Sequence, residues 1–280
     1  MKKQLLFALG LISILFTSCM SEFYQIYTVE PIGKVVSKEG EIVYDDQNFK
    51  VIYDFWSNGG NSGFQFVNKS DKNIYINLAE SFFIRNGISN NYYKQRVFSK
   101  GSSSAVSTSL GLQNARAVKG RNNFNLIQTN AISANSSTST LISSANSVSY
   151  TEEKIVCVPP QSSKFIREYL INDTRIISCD LPKAPKFKKQ FKTLSYSEEQ
   201  SPIVFRNRIS YTIDKNDSLL SFENEFYLKD ITNLPKKEVV VKKKFKDCEG
   251  FTFFRPVNTY ASKSKFYITY TLDLNTPDFK

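Results

Sequence analysis

The chain of 280 residues contains no histidine. That excludes every catalytic triad or dyad built on an imidazole base and weighs against zinc centres of the common catalytic kind. General acid and base work would fall to carboxylates, lysine or tyrosine. Acid is missing over one long stretch: from Ser81 to Thr151 there is no Asp or Glu, although Arg85, Lys94, Arg96, Lys100, Arg116, Lys119 and Arg121 all lie within it. Long apolar runs are lacking as well. The longest, near the start, falls short of the roughly twenty residues that a helix needs to span the hydrocarbon core. There is no Walker loop, dinucleotide fingerprint or EF-hand spacing, and no motif implies a cofactor or a metal.

What is present begins with the first nineteen residues. Met1-Lys2-Lys3-Gln4 is a short positive head, Leu5 to Phe16 an apolar run of secretory-signal length, and Phe16-Thr17-Ser18-Cys19 a lipobox-like ending. The expectation is a lipoprotein signal peptide over residues 1–18, with Cys19 the first mature residue, thioether-linked to diacylglycerol and acylated on its amine. The competing reading is an ordinary secretory signal cut nearby. The expected address is the cell envelope, at the outer membrane on either face, with the membrane a partner through the lipid anchor. Lys and Arg number 37 against 26 Asp and Glu, and removing the leader takes only Lys2 and Lys3 from that excess. Such a charge favours anionic partners: lipid head groups, anionic glycans or acidic proteins. No nucleic acid is expected at that address.

Besides Cys19 the chain has Cys157, Cys179 and Cys248. In an oxidising compartment one disulfide and three buried free thiols fit about equally. Among the pairings, Cys157 with Cys179 is favoured, because a loop of intermediate length separates two expected strands.

Aromatic content of 14% within 41% hydrophobic residues describes a folded chain, and its patterning has a period of two. Phe23 to Val29 alternates as a half-buried strand. Phe49, Val51, Tyr53 and Phe55 share one face, a Gly- and Asn-rich loop follows over residues 57–63, and Phe64 and Phe66 return, forming a hairpin. After the turn at 68–73, Ile74, Ile76 and Leu78 begin a third strand, which predicts a three-stranded antiparallel meander. It runs on through Phe82 and Ile84 to the turn pair Asn86-Gly87. Residues 99–150, dominated by Ser, Asn, Thr and Ala, read as a long insertion that leaves the sandwich and returns. They are either a solvated linker or a basic flap carrying Arg116, Lys119 and Arg121 for an acidic or glycan partner, the linker being favoured.

Ile155 to Val158 is a strand ended by Pro159-Pro160, Phe165 to Ile171 fits two helical turns or, as the flanking prolines and β surroundings favour, a strand, and Arg175 to Cys179 is an expected strand. The link 181–192 is basic and broken by proline. Its Lys183, Lys186, Phe187, Lys188 and Lys189 combine charge with an aromatic ring, a pairing that can grip phosphates or anionic sugars. The same composition also fits a solvated connection whose Phe side chains tuck into the body. Strand patterns recur at 201–205, 209–213, 225–228, 239–241, 251–254 and 265–272. Lys242 to Lys246 read as charges that blunt an exposed strand edge. The expected architecture is an all-β antiparallel β-sandwich, immunoglobulin-like or related. Residues 19–98 and 151–192 form a first β-sandwich region around the 99–150 insertion, and 193–280 a C-terminal β region in the same or a second sandwich.

The phrases from Phe64 to Ile76 and Ser81 to Gly87, then Ile155 to Lys164, Ser201 to Tyr211 and Lys265 to Tyr270, resemble uncharacterised Bacteroidetes-type lipoproteins. The resemblance implies an envelope location and the all-β fold, and it brings no catalytic residues.

Weaker patterns remain. Ser262-x-x-Lys265 precedes an expected strand, where a serine–lysine dyad has the wrong spacing. Asp214, Asn216 and Asp217 fit a polar turn better than a calcium loop. Asp54, Glu80, Glu168, Glu223 and Glu225 keep glycoside hydrolysis open, since two carboxylates can converge in space. The expected function is therefore a lipid-anchored envelope protein, not an enzyme, that binds an anionic glycan or protein partner or has a structural role. A carbohydrate-active enzyme or accessory module and a subunit of a surface assembly are the alternatives.

Overall fold

The computed structural model describes residues 20–38, 40–106, 142–215 and 217–273. The leader with Cys19, and Arg116, Lys119 and Arg121, lie outside them. The strands in chain order are β1 (Met20–Ile32), β2 (Val36–Lys38), β3 (Glu41–Asp45), β4 (Phe49–Tyr53), β5 (Phe64–Asn68), β6 (Ile74–Arg85), β7 (Ile88–Asn91), β8 (Val97–Val106) and β9 (Ile142–Thr151). Then come β10 (Ile155–Val158), β11 (Ser163–Ile166), β12 (Thr193–Ser195), β13 (Val204–Ile213), β14 (Leu220–Pro235), β15 (Val240–Lys246), β16 (Thr252–Asn258) and β17 (Lys265–Asp273), with a single helical turn, α1 (Lys236–Val239), between β14 and β15. Every pairing between these strands is antiparallel. The chain divides into two compact units. One holds the described residues up to Lys94 and from Glu153 onward, the other Gln95–Glu152.

In the larger unit one sheet runs β10-β6-β13-β14-β1-β17, with β7 on β6 and β12 on β14, and a five-stranded sheet runs β11-β5-β4-β3-β2. Alternation sets the faces. In β4 and β5, Phe49, Val51, Tyr53, Phe64 and Phe66 are buried, whereas their neighbours in sequence are only partly covered. Facing them from the large sheet are Phe205, Tyr211, Phe222 and Phe226. Ring centroids lie 4.9 Å apart for Tyr53 and Phe226, 5.2 Å for Phe49 and Phe222, and 5.6 Å for Phe55 and Phe205. These aromatic contacts between the two inner faces make the unit an all-β sandwich. Because β13, β14 and β17 pair with β6 and β1, the N-terminal and C-terminal regions build one body.

The structure corrects several expectations. The three-strand meander does not form: β5 pairs with β4, but β6 joins the other sheet, between β10 and β13. Buried Asn68 holds that corner. Its Nδ2 donates to the carbonyls of Lys72 at 2.7 Å and Val158 at 2.9 Å, and its Oδ1 accepts from the Ser70 amide at 2.9 Å. β1 is not half-buried: residues 23–27 are all buried. One face packs Tyr24 and Ile26 with Leu234, Val239 and Trp56. The other lies under a strap of irregular chain, and there Gln25 Nε2 donates to Asn233 Oδ1 and to the Ile176 carbonyl, both at 2.9 Å.

Arg175–Cys179 belongs to that strap and is not a strand, because the Ile176 amide is taken by Gln25 Oε1 at 2.8 Å rather than by a ladder. The strand expected over 165–171 stops at Ile166. The favoured disulfide is also absent, since Cys157 and Cys179 are both free thiols. Cys157 pairs with Tyr75 on β6. The strap that carries Cys179 is tied to β1 through Ile176 and to β14 through Asn233, which donates to the Pro182 carbonyl at 3.0 Å. β14 lies three strands from β10, about 14 Å at the usual strand spacing, and a disulfide needs Cα atoms within about 7 Å.

The smaller unit contradicts a purely irregular linker at its base. β8 and β9 pair residue for residue from Val97↔Thr151 to Val106↔Ile142. Phe98 stacks on Tyr150 at 5.2 Å, and Arg96 is ion-paired with Glu152. The ladder needs only backbone groups, which Ser and Asn supply as well as Val does.

Candidate functional site

Of the residues that combine charge with an aromatic ring, Lys186 and Phe187 are drawn into a groove of about 530 Å³. Three segments line it: Ser21 to Phe23 at the start of β1, Pro185 to Phe187 in the strap, and Pro235 to Lys237 where β14 passes into α1. Each is placed by a local rule. Phe23 faces Pro235 across the ladder, and Pro235, with no N–H to give, ends β14 and starts α1. The strap is set by two fixed carbonyls: Pro182 accepts from Asn233, and Lys183 accepts from the Tyr270 hydroxyl at 2.8 Å. Gln190 then folds back, its Oε1 accepting from the amides of Lys186 at 2.7 Å and Phe187 at 3.2 Å. That tight turn buries Pro185 and leaves the Phe187 ring 61% exposed. Phe191, by contrast, packs against the Tyr24 and Leu234 cluster.

Three ammonium groups, on Lys186, Lys236 and Lys237, stand around this apolar trough. One acid opposes them: Glu22 holds Lys236 at 2.5 Å, and that hydrogen bond raises the Lys236 pKa above its ordinary value. Lys188 and Lys189 flank the groove on the exposed 3₁₀ turn, and Lys183 is exposed beside it. Chemically the groove is an aromatic and proline floor with cations at its rim. It suits phosphate or carboxylate groups carried on a partly apolar partner. Sequence reasoning marked the strap half of it. Lys236 and Lys237 escaped, because about fifty residues separate them from Lys186 and the two segments are brought together by the bonds that Asn233 and Tyr270 give the strap.

The remaining candidates do not converge on chemistry. Ser262 Oγ bonds Ser264 Oγ at 3.0 Å, while the Lys265 ammonium lies over the Tyr260 ring at 5.9 Å. Glu168 is ion-paired with Lys94 at 2.9 Å. Glu223 and Glu225 share one face of β14, but Arg206 bridges them at 3.7 and 3.5 Å. Lys242, Lys243, Lys244 and Lys246 are exposed along β15, which among the described residues pairs with β16 alone. No protein-family model matches the chain, nor does any curated protein or solved structure.

Proposed function

We propose that the chain is a lipid-anchored, non-catalytic binding protein of the cell envelope, tethered through Cys19 and holding anionic groups of the envelope surface in the groove around Lys186, Lys236 and Lys237. The observation that carries this reading is the groove's place in the chain: its wall begins at Ser21, two residues after Cys19. An anchor at Cys19 brings those ammonium groups to the head-group layer, where each is worth about 1 kcal/mol against an anionic surface. Lys236 is already engaged by Glu22, so Lys186 and Lys237 contribute most.

Two measurements test it. Labelled palmitate enters the full chain and not its Cys19→Ala variant; an unlabelled chain with Cys19 intact removes the anchor. The detergent-solubilised chain binds vesicles containing lipopolysaccharide, and K186Q/K237Q lowers that affinity about thirtyfold. Binding that ignores both the substitutions and added salt would overturn the electrostatic role of the groove.

A further inference from the structure

A second hollow, of about 250 Å³, opens where the five-stranded sheet meets the turn before β17. The Val29 amide bonds the Ser264 carbonyl at 2.8 Å, which places this turn seven residues along β1 from Glu22, about 23 Å from the basic groove. Val43, Ile52, Gln65 and Phe165 lie in register across β3, β4, β5 and β11. Tyr53, Phe64 and Ile166, the next residues in the same ladders, are buried, so this row faces outward. Ile52 and Phe165, with the stem of Gln65 between them and its amide turned to Ser163 Oγ at 2.9 Å, make the floor of the hollow, which ends in Phe165, 61% exposed.

The polar groups at its mouth are fixed in place. β11 ends at Ile166 because Gly63 comes up against it: a Cβ at Gly63 would lie 2.8 Å from Arg167 Cα and closer still to the Ile166 carbonyl. That close approach sets Arg167 at the rim, its guanidinium 4.8 Å from the centre of the Phe165 ring. Arg167 makes no hydrogen bond or ion pair with another described residue, so the donors of its planar fork are unused. Opposite, one oxygen of Asp54 accepts from the Trp56 amide at 3.1 Å, which orients the carboxylate and leaves the other oxygen open. Asn61 is held between the Asp54 carbonyl at 3.4 Å and the Gly63 amide at 3.1 Å. Lys263 reaches across to Glu41 at 2.7 Å.

We propose that this hollow binds one acidic sugar residue, a hexuronate at the end of a glycan. Phe165 and Ile52 take the C–H face of a pyranose, Asp54 and Asn61 take its hydroxyls, and the Arg167 fork takes its carboxylate in two parallel hydrogen bonds. The volume falls below the roughly 300–1,000 Å³ of pockets for drug-sized ligands and admits a single ring.

The test is a calorimetric titration of the full chain in detergent, with galacturonic acid and with galactose. Saturable binding of galacturonic acid is expected, with galactose at least tenfold weaker. Arg167→Ala and Phe165→Ala should each weaken galacturonic acid at least tenfold. Both side chains reach the rim of the hollow, and thermal melts unchanged from the parent chain confirm that these variants fold. K186Q/K237Q should leave the titration unaltered, so a failure of the basic groove and a failure of this site are told apart. No saturable response, equal affinity for galactose, or parent-like binding by Arg167→Ala overturns the proposal.

Discussion

At the scale of single residues, the interior holds polar side chains that no alternation rule would place there. Asn207 and Asn224 face each other across β13 and β14 and are fully buried. Asn224 Nδ2 donates to the Tyr53 hydroxyl at 2.8 Å, the Tyr92 hydroxyl donates to Asn207 Oδ1 at 2.7 Å, and Asn207 Nδ2 donates to the Ser62 carbonyl at 2.9 Å. This network ties the loop 57–63 and both sheets to one register. Tyr53→Phe removes the acceptor and leaves a buried amide donor unpaired, and should lower stability in urea by about 1–3 kcal/mol. Phe226 packs at 4.9, 5.1 and 5.2 Å from Tyr53, Phe55 and Phe205. Phe226→Ala should cost about 3–5 kcal/mol, whereas Phe187→Ala, at an exposed ring, should stay within about 0.5 kcal/mol in the same denaturation series.

Among elements, the strap from Ile171 to Phe191 behaves as a third layer that holds no strand and only the single 3₁₀ turn Lys188–Gln190. It stays in place because Gln25, buried in the middle of β1, supplies the hydrogen bonds that a neighbouring strand would otherwise give. Its Oε1 accepts from the Ile176 amide and from the Tyr27 hydroxyl, while its Nε2 donates to the Ile176 carbonyl. Gln25→Leu leaves the Ile176 carbonyl and Asn233 Oδ1 without their donor and the Ile176 amide with the Tyr27 hydroxyl alone, at 3.2 Å. The strap should then open ahead of the sandwich, seen as faster tryptic cleavage after Arg175 and Lys183 than in the parent chain.

The strap was illegible as such in the sequence, since Arg175–Cys179 has strand-like composition and nothing local says that its hydrogen bonds go to a side chain. β4, β5, β6 and β17 were legible, because each alternates over five or more residues and is bounded by turn residues. Asn86 and Gly87, at φ of 48° and 82°, turn β6 into β7 as their dipeptide signature indicates. The pattern through Ser81 reads as a continuing strand, and β6 does run on through it. A bulge there is closed by the Ser81 hydroxyl, which accepts from the Ser210 amide at 3.0 Å.

For the molecule as a whole, the buried tyrosines and the missing histidine set the response to pH. Burial raises the pKa of Tyr27, Tyr53 and Tyr92 well above the ordinary phenol value and pushes Tyr270 up to about 12. A folded-state pKa raised above the unfolded one gives stability that is fully present below about pH 10, the unfolded value, and is lost as pH rises through the folded pKa. With no imidazole to titrate, thermal melts should change little between about pH 6 and pH 9. They should then fall steeply above about pH 10, together with a cooperative rise in tyrosinate absorbance. Gradual ionisation with an unchanged melting temperature would contradict the burial of these hydroxyls.

The sequence by itself determined that this is a β protein, which residues of each well-patterned strand turn inward, and that cationic charge gathers in the strap. Period-two alternation and local charge are properties of neighbouring residues, and no partner is needed to read them. Only the tertiary structure decided that β6 leaves β5 for the other sheet, that β1 is covered on both faces, that Cys157 and Cys179 are held apart, and that Lys186 meets Lys237 while Phe165 meets Asp54. Alternation fixes the face a side chain takes but says nothing about which strand lies beside it. That choice is made by contacts between residues far apart in the chain, where the aromatic cores of the two sheets and a few buried amides outweigh every local preference.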